Sequence, residues 1–383
     1  MGNCISLDSC FQKNELKFDI ESHKNESYFC PKKHVLVFNQ GIVVCSECHK
    51  RKRCFICQKC SYYSCLSESC RFLTLERFKT AMNTKRSNAS LPMPDSDRKV
   101  KDQTLTGHKG IIRSITKISD VSIASASSDK TIIIWDLLKS TQIKTLTDHN
   151  DWVHCLIKLS DKQIVSGSAD KLIKVWNLNN FDCDSLIGNT HTIFCIVKIN
   201  ETKIASGSFK VIKIWDIPSH ICLKTLEGHS DWIYCLVKLS NSIIASGGVD
   251  KEIKVWNILS ATCVATLKGH TNYINSMILI NENTFASASV DKTIKIWDIA
   301  KNEYRCTATL VEHTRSVNCL INLSQNQFVS GSADTKIKIW DIISLKCIRT
   351  IEAHNYSVDI LVKLNDNMIV SGGKDKTIKV WTI

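Results

Sequence analysis

Eight cysteine and histidine side chains fall in four close pairs between residues 30 and 70: Cys30 with His34, Cys45 with Cys48, Cys57 with Cys60, and Cys65 with Cys70. Thiolate and imidazole at such spacings suit tetrahedral Zn2+, which takes Cys sulfur at about 2.3 Å and His nitrogen at about 2.0 Å. Eight ligands make two sites. Full coordination by side chains leaves no open position for a substrate, so the expectation is two structural Zn2+ ions and no catalytic metal. Cys54 is a spare thiol in the same stretch, and a Cys54–Cys57 pair fits the spacing equally well, so the ligand register stays open.

A second chemistry is written at the start of the chain, MGNCIS. Loss of Met1 exposes Gly2, whose amine is unhindered by a side chain, and Ser6 completes the N-myristoylation pattern. Cys4 stands beside the acylated end, where S-palmitoylation is expected. One myristoyl chain binds membranes marginally, and a second adds about 0.8 kcal/mol per buried CH2. This start resembles the dually acylated termini of Src-type and plant calcium-dependent kinases. The basic run from His49 to Arg53 would reinforce the anchor, each Lys or Arg near anionic headgroups contributing about 1 kcal/mol. The same composition serves as a nuclear or nucleic-acid address, which acylation argues against.

The elements that must position the metal ligands are short. VLVFNQGIVV, between the first two pairs, holds two apolar runs around Asn39-Gln40-Gly41 and reads as a hairpin. The segment from Cys30 to Cys70 resembles the C1-like and divergent-C1 zinc modules, including the aromatic pair Tyr62 and Tyr63. That resemblance implies interleaved ligands, with pairs one and three on one ion and pairs two and four on the other. The last pair departs from the pattern, being spaced by four residues instead of two. The first CxxC and the central Cys-x-His-xx-Cys of a RING module are both missing. After the module, Phe72, Leu75, Phe78 and Met82 recur at three and four, which predicts a short amphipathic helix over 71–83. A Ser-, Asn- and Pro-containing linker follows.

Beyond the linker, VSGSADKLIKVWN at Val165 has six relatives in the chain. The tryptophans that close the seven copies, Trp135, Trp176, Trp215, Trp256, Trp297, Trp340 and Trp381, are separated by 41, 39, 41, 41, 43 and 41 residues. A period near forty with four strand signals per unit reads as a propeller. Each unit runs from a Gly-His through a Ser/Gly-rich turn with Asp to Trp-Asp or Trp-Asn, and in this it resembles the WD40 repeat, over about Lys101 to Ile383. The resemblance implies structural roles for His108, Asp129 and Trp135 in repeat one and His149, Asp170 and Trp176 in repeat two. It implies the same for His229, Asp250 and Trp256 in repeat four, His270, Asp291 and Trp297 in repeat five, His313, Asp334 and Trp340 in repeat six, and His354, Asp375 and Trp381 in repeat seven. With a strand Ser, each set can hydrogen-bond in series, so that every buried polar group has a partner. Repeat three departs: Asn189 replaces the His, and SGSFKVIKIW is one residue short and lacks the Asp. It is expected to be the loosest unit. Trp381 lies two residues from the end while Gln103-Thr104-Leu105 matches fourth-strand segments elsewhere, so the N-terminal segment should complete the last unit and close the ring.

The net charge of +13 is shared, since residues 1–100 hold 17 Lys/Arg against 10 Asp/Glu. It biases the chain toward anionic surfaces without naming one. No apolar run approaches the roughly 18 residues of a membrane span, and no secretory core opens the chain. A cytosolic, reducing location is expected, with no disulfides. Cys155, Cys195, Cys235 and Cys319 recur at one repeat position, which indicates packing. Lys174, Lys213, Lys254, Lys295, Lys338 and Lys379 stand two residues before the Trp and read as solvated surface. No nucleophile beside a base, phosphate loop or carboxylate pair points to an enzyme.

The positions three and five after the His, where first strands begin, vary more. Ile111 and Arg113, Trp152 and His154, Phe194, Trp232 and Tyr234, and Tyr273 form an aromatic arc with a nearby Arg, the composition of a binding hot spot. The expected fold is mainly β: a seven-bladed β-propeller (101–383) preceded by an acylated N-terminus (1–29), a small zinc-binding module (30–71), and a helix and linker (72–100). The expected function is a non-enzymatic scaffold at the cytoplasmic face of a membrane, a peripheral protein that binds other proteins or peptides, with no nucleic acid or small-molecule substrate. Alternatives are a ubiquitin-ligase component whose propeller selects substrates, and a G-protein-β-like subunit, which lacks its preceding heptad helix.

Overall fold

The computed structural model describes residues 100–300 and 303–383 in full and, before them, the backbone of six short strands: Tyr28–Phe29, Val35–Asn39, Ile42–Cys45, Arg53–Cys57, Tyr62–Cys65 and Leu73–Thr74. The chain divides into two compact units, Met1–Met93 and Pro94–Ile383. In the first unit the six strands form one antiparallel sheet in chain order. The hairpin is present, with Leu36 opposite Cys45, Val37 opposite Val44, Phe38 opposite Val43 and Asn39 opposite Ile42. Its β-branched and aromatic runs favour extended backbone. Cys45, Cys57 and Cys65 lie on strands, as does Cys54, which stands opposite Cys65. Cys30, His34, Cys48, Cys60 and Cys70, together with Gly2 and Cys4, lie outside the described residues. The helix predicted over 71–83 is corrected at Leu73–Thr74, a strand paired with Tyr62 and Tyr63. The edge of the aromatic strand carries unpaired backbone groups that an adjoining segment can satisfy, and this outweighs a weak helical period. Residues 75–83 lie outside the described residues.

In the second unit each repeat contributes consecutive antiparallel strands, and among the described residues there is no α-helix. Five sheets hold four strands each, while a sixth holds seven, because the 18-residue strand Ile221–Lys238 ends repeat three and begins repeat four. The first strands neighbour one another in series, from Ile112–Ser119 beside Val153–Ser160 round to Val358–Asn365, which lies beside Ile112–Ser119 again. The predicted closure is present. Gln103–Leu105 is the fourth strand of the last sheet, pairing Leu105 with Ile378, Thr104 with Lys379 and Gln103 with Val380.

The Ser/Gly/Ala-rich second strands follow from this stacking. In Gln163–Ser168 and Ile173–Asn177 nearly every side chain is buried on both faces, so bulk on one strand must be matched by a small residue on the next. Cys155, Cys195, Cys235 and Cys319 stand opposite Gly167, Gly207, Gly247 and Gly331. Repeats one and five instead oppose Ser114 to Ala126 and Ser276 to Ala288. A Cβ on Gly331 would lie 2.6 Å from Cys319 Sγ and 2.7 Å from Val358 Cγ1 of the next sheet. Burial pushes all four of these thiols well up, which removes thiolate chemistry and leaves packing as their role.

Sheets are also tied to one another by a set of lysines. Lys158, Lys198, Lys238 and Lys363 each donate to a backbone carbonyl of the preceding repeat: Ile118 (2.8 Å), Leu159 (2.5 Å), Ile199 (2.7 Å) and Leu323 (2.6 Å). Asn322 does the same to Leu279.

Candidate functional site

Six repeats carry the full polar series at 2.6–2.8 Å per bond. In repeat two the Trp176 indole and Ser166 Oγ are 2.8 Å apart, Ser166 Oγ and His149 Nε2 2.7 Å, and His149 Nδ1 and Asp170 2.7 Å. Repeats one, four, five, six and seven repeat it. An indole N–H only donates, so the serine accepts it. The histidine then links that hydroxyl at Nε2 to the carboxylate at Nδ1. Burial alone would raise the Asp170 carboxyl, but the hydrogen bond and charge of His149, then the amides of Leu172 and Asn150, hold it at about 2.

Ser, His and Asp thus stand in the order of a catalytic triad, within the series expected from the repeat pattern. Tertiary folding creates it, since the His precedes the Ser by 17 residues. These six serines, Ser125, Ser166, Ser246, Ser287, Ser330 and Ser371, are all 0% exposed and each already holds an indole. A sealed, doubly engaged hydroxyl reaches no substrate, so the relay is part of the frame.

Repeat three keeps only the bond from Trp215 Nε1 to Ser206 (2.9 Å), and both polar atoms of the Asn189 amide are buried without partners among the described residues. Its shortened turn brings Phe209 against Trp232, with ring centroids 4.8 Å apart, and His191 against both, at 5.2 and 5.9 Å. Phe209 also pairs with Trp232 across the backbone, which joins repeats three and four into the seven-stranded sheet. Apolar packing replaces the missing relay here. Sequence reading set His191 aside, since it lies two positions late for the missing relay His, and passed over Phe209, although an aromatic in place of the turn Asp was a signal.

Those contacts extend the arc. Arg113 lies 5.4 Å over the Trp152 ring. Trp152 meets His154 (6.2 Å), His154 meets Phe194 (4.6 Å), and Phe194 meets both Trp232 (5.3 Å) and Tyr234 (4.9 Å). Tyr234 reaches Tyr273 at 6.4 Å. Trp152 is 46% and Tyr273 40% exposed, the two solvent-facing ends of an otherwise half-buried cluster. Ile111 stands outside this aromatic chain, its amide donating to Ser128 Oγ. Burial, followed by the charge of Arg113 and opposed by Asp151, lowers His154 to about 4 and keeps it neutral.

The other side of the first-strand ring is polar. Asn275 Nδ2 donates to Ser316 Oγ (3.1 Å) and reaches Asn318 (3.4 Å). Asn318 Nδ2 donates to Ser357 Oγ (2.7 Å) and Asp359 Oδ1 (3.1 Å). Burial raises the Asp359 carboxyl, partly offset by its Ser357 hydrogen bond and by the charges of Lys374 and Arg113. Seven residues at one register, Arg113, His154, Phe194, Tyr234, Asn275, Asn318 and Asp359, therefore line the same end of the first strands, four of them predicted for binding.

The lysines before the Trp are not simply solvated. Lys174, Lys213, Lys254, Lys295 and Lys338 donate to Ser185, Thr225, Thr266, Thr309 and Thr350 of the adjoining strand at 2.8–3.3 Å. They brace the outer edge, which explains their regularity. Among the described residues no group of three His, Cys, Asp or Glu side chains is placed to hold a metal.

Sheets of short antiparallel strands, each framed by one internal relay, define a β-repeat protein. The chain belongs to the WD40 family: the model of the WD domain, G-beta repeat, matches residues 99–136, 140–177, 220–257, 261–298, 304–341 and 345–382, more than half of its length. The matches leave out repeat three, where the relay is lost. WD40 repeats support a general role in protein interaction. No curated protein matches the chain.

Proposed function

We propose that residues 101–383 form a seven-bladed propeller whose aromatic arc docks partner proteins or peptides, making the protein a non-enzymatic scaffold. Support for seven blades comes from the closed series of first strands, with Ile221–Lys238 counted in two blades. The observation that carries the docking reading is the contiguous arc from Arg113 to Tyr273, exposed at Trp152 and Tyr273 and braced behind by Phe194 and Trp232. Rigid aromatic anchors backed by packed rings are what binding hot spots are made of. Acyl chains on Gly2 and Cys4, with the basic run 49–53, hold the scaffold at a cytoplasmic membrane surface, and two structural Zn2+ ions on the four Cys/His pairs stiffen residues 30–71.

Replacing Trp152 and Tyr273 together by Ala tests the docking reading. Partners cross-linked to the wild type in cells should be lost while the melting curve stays in place; retention of every partner sinks it. Gly2→Ala should move the protein from the membrane to the soluble fraction, and metal analysis of the purified chain should return two zinc ions.

A further inference from the structure

Two polar atoms in the ring at the start of the first strands are buried and have no hydrogen-bond partner among the described residues: Arg113 Nε and Asp359 Oδ2. They belong to the same register of two adjacent strands, Ile112–Ser119 and Val358–Asn365. Asp359 Oδ1 is already engaged by Ser357 and Asn318, and Trp152 lies against the Arg113 guanidinium, so neither side chain has been turned to serve the other. A buried donor and a buried acceptor left in this state are costly, and a docking surface that keeps them gains when the side chains over them part and a partner completes both.

The charges restrict what can complete them. A cation drawn to Asp359 is opposed by Arg113, and an anion drawn to Arg113 is opposed by Asp359. A neutral group that offers an acceptor and a donor from one end escapes both penalties. A primary carboxamide is such a group: its carbonyl accepts the Arg113 Nε–H and its NH2 donates to Asp359 Oδ2. A trans backbone amide cannot, because its N–H and C=O point in opposite directions. The apolar stem of an Asn or Gln would lie against the neighbouring ring members His154 and Phe194.

We infer that the ring recognises a partner segment through an Asn or Gln side chain seated between Arg113 and Asp359, with flanking apolar residues on the aromatic arc. The inference rests on the docking reading above and adds the chemistry that selects the partner.

Phage-displayed random linear peptides, selected on the full-length protein and on Arg113→Gln and Asp359→Asn variants of unchanged melting temperature, test it. Wild type should enrich Asn or Gln at one position beside apolar or aromatic residues. Asp359→Asn, which leaves the guanidinium, should shift that position to Asp or Glu. Arg113→Gln, which leaves the carboxylate, should shift it to Lys or Arg. A synthetic peptide from the wild-type selection should bind at least tenfold more weakly when its Gln is changed to Glu or to Met, an arm that needs no variant protein. Enriched peptides without an Asn or Gln preference, or a preference unchanged in both variants, overturn the inference and leave the docking surface standing. No enrichment on wild type overturns both.

Discussion

The carboxylate of Asp102 accepts hydrogen bonds from the amide and the hydroxyl of Thr382 (2.6 and 2.7 Å), although 280 residues separate them. This contact lies at the end of the strand pair that joins Gln103–Leu105 to Ile378–Thr382. A chain beginning at Gly107 loses that strand, leaves the last sheet with an open edge and uncovers Ile378. It is expected to melt below a chain beginning at Lys99, by about 3 °C if about 2 kcal/mol is lost from a domain of this size. Equal melting temperatures would show that the strand does not hold the ring shut.

Cys319 and Gly331 are coupled by volume. Gly331→Ala alone forces a methyl to 2.6 Å from the Cys319 sulfur and should destabilise by about 1–3 kcal/mol, the usual effect of overpacking. Adding Cys319→Ser recreates the Ser276–Ala288 pair of repeat five, which also faces a valine of the next sheet, Val317. The double variant should therefore recover most of the loss, read as a positive coupling in a double-mutant cycle by urea denaturation. Additive losses would mean that the Cys–Gly match is incidental.

Ser166→Ala leaves both the Trp176 indole and His149 Nε2 without their partner, whereas Ser206→Ala in repeat three leaves only the Trp215 indole. Each orphaned buried group costs about 1–3 kcal/mol. The first substitution should lower stability by about twice as much as the second. Equal losses would show that the histidine adds nothing to the frame.

His154 supplies a pH test. Its imidazole is held at about 4 by burial and by Arg113, against about 6.5 in an unfolded chain. Because the folded pKa is the lower one, this contribution to stability is complete above pH 6.5 and is lost as pH falls toward 4. At pH 5 the loss is about 2 kcal/mol. His154→Gln lacks it, so the stability difference between wild type and variant should shrink by about that amount between pH 7.5 and pH 5. A constant difference would place the imidazole in contact with water.

The relay residues were legible because each set spans only one repeat: the spacing from His to Asp and from Ser to Trp is fixed by strands that follow one another directly. The aromatic arc was legible by position, since every first strand starts at the same offset from its His. Its reinforcement was not, for Phe209 reaches Trp232 through a shortened turn whose geometry appears only when two sheets merge. The lysines before the Trp were misread as simply solvated because their serine and threonine partners sit on the adjoining strand.

By itself, the sequence determined the period, the mainly β class, the closure by Gln103–Leu105 and the members of six relays, all consequences of local spacing and of identical units solving the same burial problem. Only the tertiary structure decided which side chains of different repeats meet. Cys319 against Gly331 and Val358, Lys158 on the carbonyl of Ile118, and Arg113 beside Asp359 depend on how one sheet stacks on the next and on the last strand returning to the first. Contacts across a sheet face, or across a ring that closes end to end, leave no trace in the spacing of a single repeat.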